Sequence, residues 1–230
     1  KLRIFHHQTK NNFEIINKKF KKKFESKKFL GKLIFPKIKD YMKIKLKINN
    51  SYLTSKINDE NMSFAYTFAR LLKIKESSFV KSINSFKGLP HRFELFLKKK
   101  DVIFINDSKA TSFKATQYAL SSCKNIYWIL GGLPKKKDKI KLLELKKNII
   151  KCYLIGNYTS FFKNQIKNKL NFSIIKNLNK TIIQVFKDMK MQKKTLKTVL
   201  FSPAAASFDQ FKNFEQRGDV FKRLCRKYVR

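Results

Sequence analysis

Acidic residues, glycine, proline and cysteine are all scarce in this chain of 230 residues. The three cysteines, Cys123, Cys152 and Cys225, lie far apart, and neither a CxxC pair nor a Cys/His ligand spacing occurs. This argues against a disulfide framework and a zinc finger, so we predict a reduced, cytoplasmic protein. No apolar run approaches the length of a membrane-spanning helix and no signal peptide is recognisable, so no membrane span is expected. The chain also has no glycine-rich GxxxxGK(S/T) loop to bind phosphates.

Lysine and arginine outnumber the acidic residues by 54 to 15, which gives a formal net charge of +39. Such a charge is typical of proteins that bind nucleic acid or anionic membranes. However, the lysines are scattered, and the abundance of Lys, Asn, Ile and Phe is the profile of an AT-rich genome. A binding surface would concentrate charge on one element, and no string typical of an RNA-binding sheet is present. We therefore predict no nucleic-acid partner and keep a basic RNA-binding module as an alternative.

The first part of the chain is irregular and then becomes helical. Residues 1–55 contain short β-prone pieces between lysine-rich stretches, at 2–5, 31–35 and 42–48. Apolar residues recur at helical spacing over Asn61–Leu72 and, more weakly, over Glu76–Phe86. Gly88-Leu-Pro90 is typical of a turn, so we predict a domain boundary and hinge there.

From Phe93 onward, strand and helix patterns alternate. Strands are predicted at 93–98, 101–106, 126–131, 151–155, 172–175 and 197–202. Helices are predicted at 112–122, 138–149, 158–168, 178–190 and 208–227. The first two strands can form a hairpin, and the rest follow a β-α-β order with right-handed crossovers. We therefore predict an α/β, Rossmann-like domain with a mostly parallel sheet of about six strands.

Three unusual strings follow predicted strands, at the edge where parallel sheets bind ligands. They are Asp107–Thr111, Gly131–Lys135 and Ser202–Ser207. We predict that Ser207 caps the next helix, with Gln210 as its partner in a capping box. Backbone N–H groups and the positive end of the helix dipole would meet there, which suits a carboxylate or a phosphate. The sequence therefore predicts an anion site at this edge.

These strings, with Gly88–Glu94 before them, resemble the C-terminal part of the Mur ligase family, in particular its D-glutamate-adding members. The resemblance is dense from Asn58 to Gly218. It implies that residues 1–87 are the C-terminal part of a central α/β ATP-binding domain and residues 88–230 the C-terminal Mur ligase domain. Because the chain starts at Lys1 without a methionine, we expect a fragment. Because it lacks a phosphate-binding loop, we expect this fragment to be inactive alone.

The resemblance implies an ATP-dependent ligase that adds D-glutamate to UDP-N-acetylmuramoyl-L-alanine through an acyl phosphate. This is a step of peptidoglycan synthesis, and hence of cell-wall biogenesis, cell shape and cell division. ATP and Mg²⁺ are the implied cofactors, with the magnesium ligands upstream of Lys1, and a cytoplasmic monomer is expected. Another relative from the Mur ligase and folylpolyglutamate synthase superfamily is the alternative that we keep.

The resemblance also implies a nucleotide side of the site. Lys109 would be catalytic and reach the ATP phosphates, while Asp107 would bind the ribose. The remaining contacts to ATP would come from His91, Arg92, Asn58 and Asn61, the last two near the adenine. Ser55 and Ile57 replace the family's Gly and His beside them. Simple structural roles stay open, namely a helix cap for Asn58 and a solvated surface position for His91 and Arg92.

On the amino-acid side, the resemblance implies a pocket for D-glutamate. Its residues would be Thr111, Lys135, Ser207, the backbone of Phe208, and Phe214. Ser112 stands where the family often has Asn, which keeps a capping residue in place. The structural alternatives here are a solvated lysine run for Lys135, a buried helix cap for Ser207 and a core aromatic for Phe214.

Overall fold

The computed structural model describes residues 3–27, 29–192 and 196–229. Contacts divide the chain after Lys87 into two compact units, Lys1–Lys87 and Gly88–Arg230. The assignment of the first unit to a central ATP-binding domain stays a prediction. Within the described residues, no helix is both long and apolar enough to cross a membrane.

The first unit combines small helices with one pair of parallel strands. Its elements are α1 (Arg3–His6), β1 (Phe13–Ile15), α2 (Lys21–Glu25), β2 (Lys32–Ile34), α3 (Ile38–Lys45), α4 (Asp59–Leu71) and α5 (Glu76–Ser85). Strands β1 and β2 pair in parallel. A small core joins α3, α4 and α5 through Tyr41, Ile44, Met62, Ala69 and Phe79.

Two of the three β-prone pieces in this unit are helical instead. Arg3–His6 and Ile38–Lys45 are helices, whereas β2 lies within the predicted 31–35. In α3 the buried residues are Tyr41 and Ile44, three positions apart on one helical face. Packing against α4 therefore selects the helical period over the local β-propensity of the sequence.

The second unit is an α/β domain around one six-stranded sheet. Its elements are β3 (Glu94–Lys99), β4 (Val102–Asn106), α6 (Phe113–Ser122), β5 (Ile126–Gly131), β6 (Ile149–Ile155), α7 (Thr159–Ile166), β7 (Phe172–Lys176), α8 (Leu178–Lys190), β8 (Lys197–Phe201) and α9 (Phe214–Tyr228). The strand order is β3-β4-β8-β5-β6-β7. Only β3 is antiparallel to its neighbour, as a hairpin with β4. The predicted fold class is confirmed.

Helices cover both faces of this sheet. Along β5, Trp128 and Leu130 face one core cluster, which includes residues of α6 and α7. The alternate residues Tyr127 and Ile129 face the other cluster, which includes residues of α8 and α9. Because both faces are covered, the central strands consist mostly of apolar residues, as is typical of parallel sheets.

The predicted helix at 138–149 is wrong. The described structure has only a 3-10 helix there, Leu143–Asn148. The residues before it are held by their neighbours: Asp138 Oδ2 accepts the Phe113 N–H (2.7 Å), and the Ile140 N–H donates to Gln165 Oε1 (2.8 Å). The Asp138 carboxylate and the Ile140 N–H are therefore bonded to α6 and α7 and cannot bond to each other, as they could at the N-cap of a helix that starts at 138.

The cysteines are buried and free. Burial raises the pKa of the Cys123 thiol to about 12 and raises the pKa values of Cys152 and Cys225 as well. A thiol in such surroundings is unreactive, so all three act as small core residues.

Candidate active site

Three loops meet at the carboxyl ends of the parallel strands. The Asp107 N–H donates to the Phe201 carbonyl (2.7 Å), which joins the loop after β4 to β8. The Gly131 N–H donates to the Pro203 carbonyl (2.9 Å), and Leu133 and Ala206 exchange two backbone hydrogen bonds of 2.9 Å. The three strings picked out in the sequence therefore lie side by side.

Glycine is required where the loop after β5 passes its neighbours. Gly131 and Gly132 have φ angles of 137° and 126°, a region that L side chains rarely adopt. A Cβ at Gly131 would lie 2.0 Å from the Ile155 carbonyl oxygen, and one at Gly132 would lie 2.4 Å from that of Ala206. The two glycines bring the chain that leads to Lys135 next to Ser207.

The predicted helix start at Ser207 is wrong. The Ser207 carbonyl accepts hydrogen bonds from the N–H groups of Gln210 and Phe211, but this single turn is not continued. Helix α9 begins at Phe214, because Asn213 caps it by accepting the Gln216 N–H at 2.8 Å. Gln216 Oε1 in turn accepts the Lys212 N–H at 2.7 Å. Asn213 is as good a cap as serine, so the carboxylate site cannot rest on a helix N-terminus at Ser207.

Asp107 is buried and already has partners. Its Oδ2 accepts the Ser202 hydroxyl (2.6 Å) and its Oδ1 accepts the Phe93 N–H (3.1 Å). Burial raises the pKa of the carboxyl from an ordinary 3.8 to about 7, although these hydrogen bonds favour the charged form. The side chain thus ties the ends of β4 and β8 to the start of β3, and 8% of its surface is left exposed.

His91 is buried and contacts residues of β3, β4 and α9, so it is not a solvated surface residue. Its φ angle is 62°, its N–H donates to Glu94 Oε2 (2.9 Å), and its carbonyl accepts the Lys109 N–H (3.0 Å). Its ring Nδ1 lies 2.9 Å from the Asn106 side-chain amide. A Cβ on Gly218 would lie 2.2 Å from the same nitrogen, so the ring packs directly on α9. Arg92, the next residue, is exposed.

Lys109 and Phe214 come from the two halves of the predicted site, and they are in contact. The Lys109 Nζ lies 3.6 Å from the centroid of the Phe214 ring. The ring of His91 meets the same phenyl group edge-on, with centroids 5.9 Å apart. The contact places an ammonium group over an aromatic face, which is an attractive arrangement.

Arg217 is the site residue that sequence reasoning missed. Only 1% of its surface is exposed, and it donates hydrogen bonds to Ser108 Oγ (3.0 Å), the Ser108 carbonyl (2.7 Å) and the Ala205 carbonyl (3.0 Å). Its Nη1 has no hydrogen-bond partner among the described residues. Burial lowers the pKa of the guanidinium to about 10. In a sequence, an arginine near the start of a helix is normally predicted to lie on the surface. No neighbouring residue indicates that Arg217 is buried.

The residues predicted for the D-glutamate pocket differ in exposure. Ser207 is buried, Phe214 and Thr111 are half-buried, and Lys135 and Phe208 are exposed. The Leu133–Ala206 bridge brings the segment of Lys135 beside Ser207. Ser112, and not Thr111, caps α6 by accepting the Ala115 N–H. That these residues bind an amino acid stays a prediction.

Asn58 and Asn61 lie in the first unit, and their side chains bind each other. The Asn61 amide donates to Asn58 Oδ1 (3.2 Å), and the Asn58 amide donates to the Tyr52 carbonyl (2.8 Å) and to Ser55 Oγ (3.3 Å). Asn58 makes no capping hydrogen bond to α4, so the alternative of a side-chain helix cap is wrong. Contact with adenine stays a prediction.

Several curated proteins with similar sequences carry the same name. The chain is 39% identical over 196 residues to UDP-N-acetylmuramoylalanine--D-glutamate ligase from Wolbachia sp. subsp. Brugia malayi (strain TRS), with 82% of this chain and 39% of that protein covered. This chain belongs to the Mur ligase family. The ligase of the same name from Rhizobium meliloti (strain 1021) is 39% identical over 164 residues, or 71% of this chain and 35% of that protein. The chain thus spans well under half of these relatives.

Two solved structures show that the fold is shared with other proteins. MurF from Acinetobacter baumannii aligns with a TM-score of 0.56 and 12% identity, covering 75% of this chain and 38% of that one. A bifunctional folylpolyglutamate synthase/dihydrofolate synthase from Yersinia pestis CO92 aligns with a TM-score of 0.51 and 13% identity, covering 73% of this chain and 39% of that one. No family model matches the chain.

Proposed function

We propose that this chain is part of an ATP-dependent ligase that joins D-glutamate to UDP-N-acetylmuramoyl-L-alanine in peptidoglycan synthesis. The observation that carries the proposal is the 39% identity, over 82% of this chain, to a ligase named for that reaction. The contact between the loops after β4, β5 and β8 supports it, because these loops contain the residues that the resemblance assigns to the site. In the described parts of the chain, no structural feature favours an RNA-binding module or another amino-acid ligase over this function.

The two carboxylates of D-glutamate need two separate partners. Lys135 offers an exposed ammonium group on a flexible chain after the Gly131-Gly132 turn. Ser207 offers a buried hydroxyl in the neighbouring loop, with the backbone N–H of Phe208 beside it. Thr111 would add a second hydroxyl and Phe214 an apolar wall. A lysine for one carboxylate and neutral donors for the other fit a dicarboxylic amino acid.

The residues of the second unit fit the phosphate and ribose end of a nucleotide. The Lys109 ammonium can neutralise charge on phosphate oxygens, and the exposed Arg92 guanidinium can bind them in a bidentate way. The lone pairs of Asp107 that its two partners leave free can accept ribose hydroxyls. When bound, ATP supplies the phosphoryl group that activates the substrate carboxylate. His91 contributes by holding the backbone of Lys109 through its carbonyl.

A divalent cation does not fit the residues seen here. Among the described residues, no group of three or more His, Cys, Asp or Glu side chains is arranged to hold a metal ion. We therefore assign no magnesium ligand and no metal-dependent step to this chain. A folylpolyglutamate synthase/dihydrofolate synthase from Yersinia pestis c092 with the same fold was solved with AMPPNP and a manganese ion, which supports nucleotide and cation use by the whole ligase.

A chimaeric ligase tests the function. Only the part of the Rhizobium meliloti ligase that aligns with residues 88–230 is replaced, by those residues of this chain, and phosphate release is measured with ATP and UDP-N-acetylmuramoyl-L-alanine. We expect release to depend on D-glutamate and not on L-glutamate, glycine or meso-diaminopimelate. The parent ligase is the positive control. A folded chimaera that uses a different amino acid would refute the proposed specificity.

A further inference from the structure

Phe214 is placed to act on Lys109 as well as on an amino-acid ligand. It is the first residue of α9, and the face of its ring carries the Lys109 ammonium at 3.6 Å from the centroid. The His91 ring lies edge-on to it, at an interplanar angle of 80°. Both contacts restrict the phenyl group before any ligand is bound.

The backbones of the two residues are also tied together. Ser108, which precedes Lys109, is fully buried, and its hydroxyl donates to the Phe214 carbonyl at 2.8 Å. The same Ser108 oxygen accepts a hydrogen bond from Arg217 Nε on the next turn of α9. The ring and the lysine therefore keep their relative position as parts of one frame.

We propose that Phe214 is a positioning residue for Lys109, in addition to any role as a wall of the amino-acid pocket. A lysine side chain has four rotatable bonds and adopts many conformations in solvent. The aromatic face selects those conformations that keep the ammonium at the edge of the site. This inference rests on the proposed function only in so far as Lys109 serves phosphoryl transfer; the contact itself does not depend on it.

The contact is tested first on the chain alone, by NMR of lysines that carry ¹³C-labelled dimethylamino groups. A methyl group over a phenyl face is shifted upfield by the ring current. We therefore expect one resonance upfield of the other lysines, absent in Lys109→Arg. It should return to the bulk position in Phe214→Leu and stay upfield in Phe214→Tyr. Phe172→Leu, which removes a partly buried ring elsewhere, is the control that should leave it in place.

An unshifted Lys109 resonance in the unaltered chain would overturn the proposal, and so would a shifted resonance that Phe214→Leu leaves unchanged. The first of these outcomes needs no variant, so the test survives if Phe214→Leu does not fold.

Kinetics of the chimaeric ligase then test the consequence for activity. We expect Phe214→Leu to lower kcat on the order of tenfold, because a lysine that is no longer preorganised stabilises the transition state less. Phe214→Tyr should restore most of the loss. A rise in KM for D-glutamate with kcat unchanged would mean that Phe214 is only a pocket wall. If the chimaera ignores D-glutamate while the NMR result holds, the proposed function fails and the positioning role stands.

Discussion

Arg217 Nε and Nη2 both donate to Ser108, one to the side-chain oxygen at 3.0 Å and the other to the carbonyl at 2.7 Å. A third bond to the Ala205 carbonyl means that one buried guanidinium joins α9 to the loops after β4 and β8. Its Nη1 has no hydrogen-bond partner among the described residues, although the charge of Asp209 favours the charged guanidinium. The geometry of the site therefore depends on a residue that need not touch any substrate.

Replacing Arg217 tests whether its three hydrogen bonds to Ser108 and Ala205, which we call the Arg217 clamp, stabilise the fold. We expect Arg217→Met to lower the free energy of unfolding by about 1–3 kcal/mol, since it leaves two buried carbonyls without donors even though it removes a buried charge. Arg217→Lys should be no more stable than Arg217→Met, because an ammonium keeps the charge and cannot span the same acceptors. Urea unfolding measures both. Arg223→Met, at an exposed position of α9, is the control that should change little; full stability of Arg217→Lys would contradict the clamp.

Gly218 should not tolerate alanine, although it lies inside a helix. In an exposed helix, Gly→Ala stabilises by up to about 1 kcal/mol. Here the new Cβ would lie 2.2 Å from His91 Nδ1 and 3.0 Å from the Asn106 amide, so we expect a loss of about 1–3 kcal/mol. Thermal unfolding of Gly218→Ala, His91→Ala and the double variant gives a cycle. The second substitution should cost much less in the presence of the first, and simple additivity would show that the ring is not the obstacle.

Asp107 should make the stability of the chain fall as the pH rises toward neutrality. Its pKa in the folded chain is raised from 3.8 to about 7, so the folded state holds the proton more tightly than the unfolded state. Stability from the protonated group is complete below the unfolded pKa and is lost between the two values. The stability of the chain relative to Asp107→Asn should therefore fall by about 2–3 kcal/mol from pH 5 to pH 7, at about 1.4 kcal/mol per pKa unit. A difference that rises or stays level over this range would show that the carboxyl titrates at its ordinary pKa or below.

Replacing Lys135 should weaken the binding of D-glutamate and not that of ATP. In the chimaeric ligase, we expect Lys135→Ala to raise KM for D-glutamate by roughly thirtyfold, or about 2 kcal/mol, with KM for ATP nearly unchanged. Ser207→Ala should cost about 1 kcal/mol, because backbone donors remain beside it. Lys136→Ala and Lys137→Ala are matched controls from the same lysine run. A larger effect from either would move the ligand contact along the run, and equal effects on both substrates would place the pocket elsewhere.

The sheet could be predicted because its signal is local. Each central strand is a short run of apolar residues between polar loops, and β5 was predicted at its observed bounds, Ile126–Gly131. The same holds for α8, whose apolar face repeats at the helical period over Leu178–Lys190. The positions of Asp107–Thr111, Gly131–Lys135 and Ser202–Ser207 at one edge of the sheet then follow from the topology of parallel strands.

Sequence patterns predicted the wrong helix start where two positions had equally good capping residues. Ser207 and Asn213 are both capping residues followed by Gln at the third position. The pairing of Ala206 with Leu133 holds the chain at Ser207 against the neighbouring loop, and the helix starts at the second cap. At 138–149, hydrogen bonds to α6 and α7 likewise outweigh the helical pattern.

Apolar periodicity and turn residues act over short distances, so the α/β class, the order of the strands along the chain and the motifs assigned to the site could be predicted from the sequence alone. By contrast, the folded structure was needed to show that Arg217 is buried and bonded to two loops, that His91 packs against α9, and that the Lys109 ammonium lies over the Phe214 ring. Arg217 and Ser108, for example, are 109 positions apart in the sequence, and no local propensity encodes such a contact. Such contacts form because the pairing of β4 with β8 brings the ends of these two strands together, and Ser108 bonds to the start of α9 there.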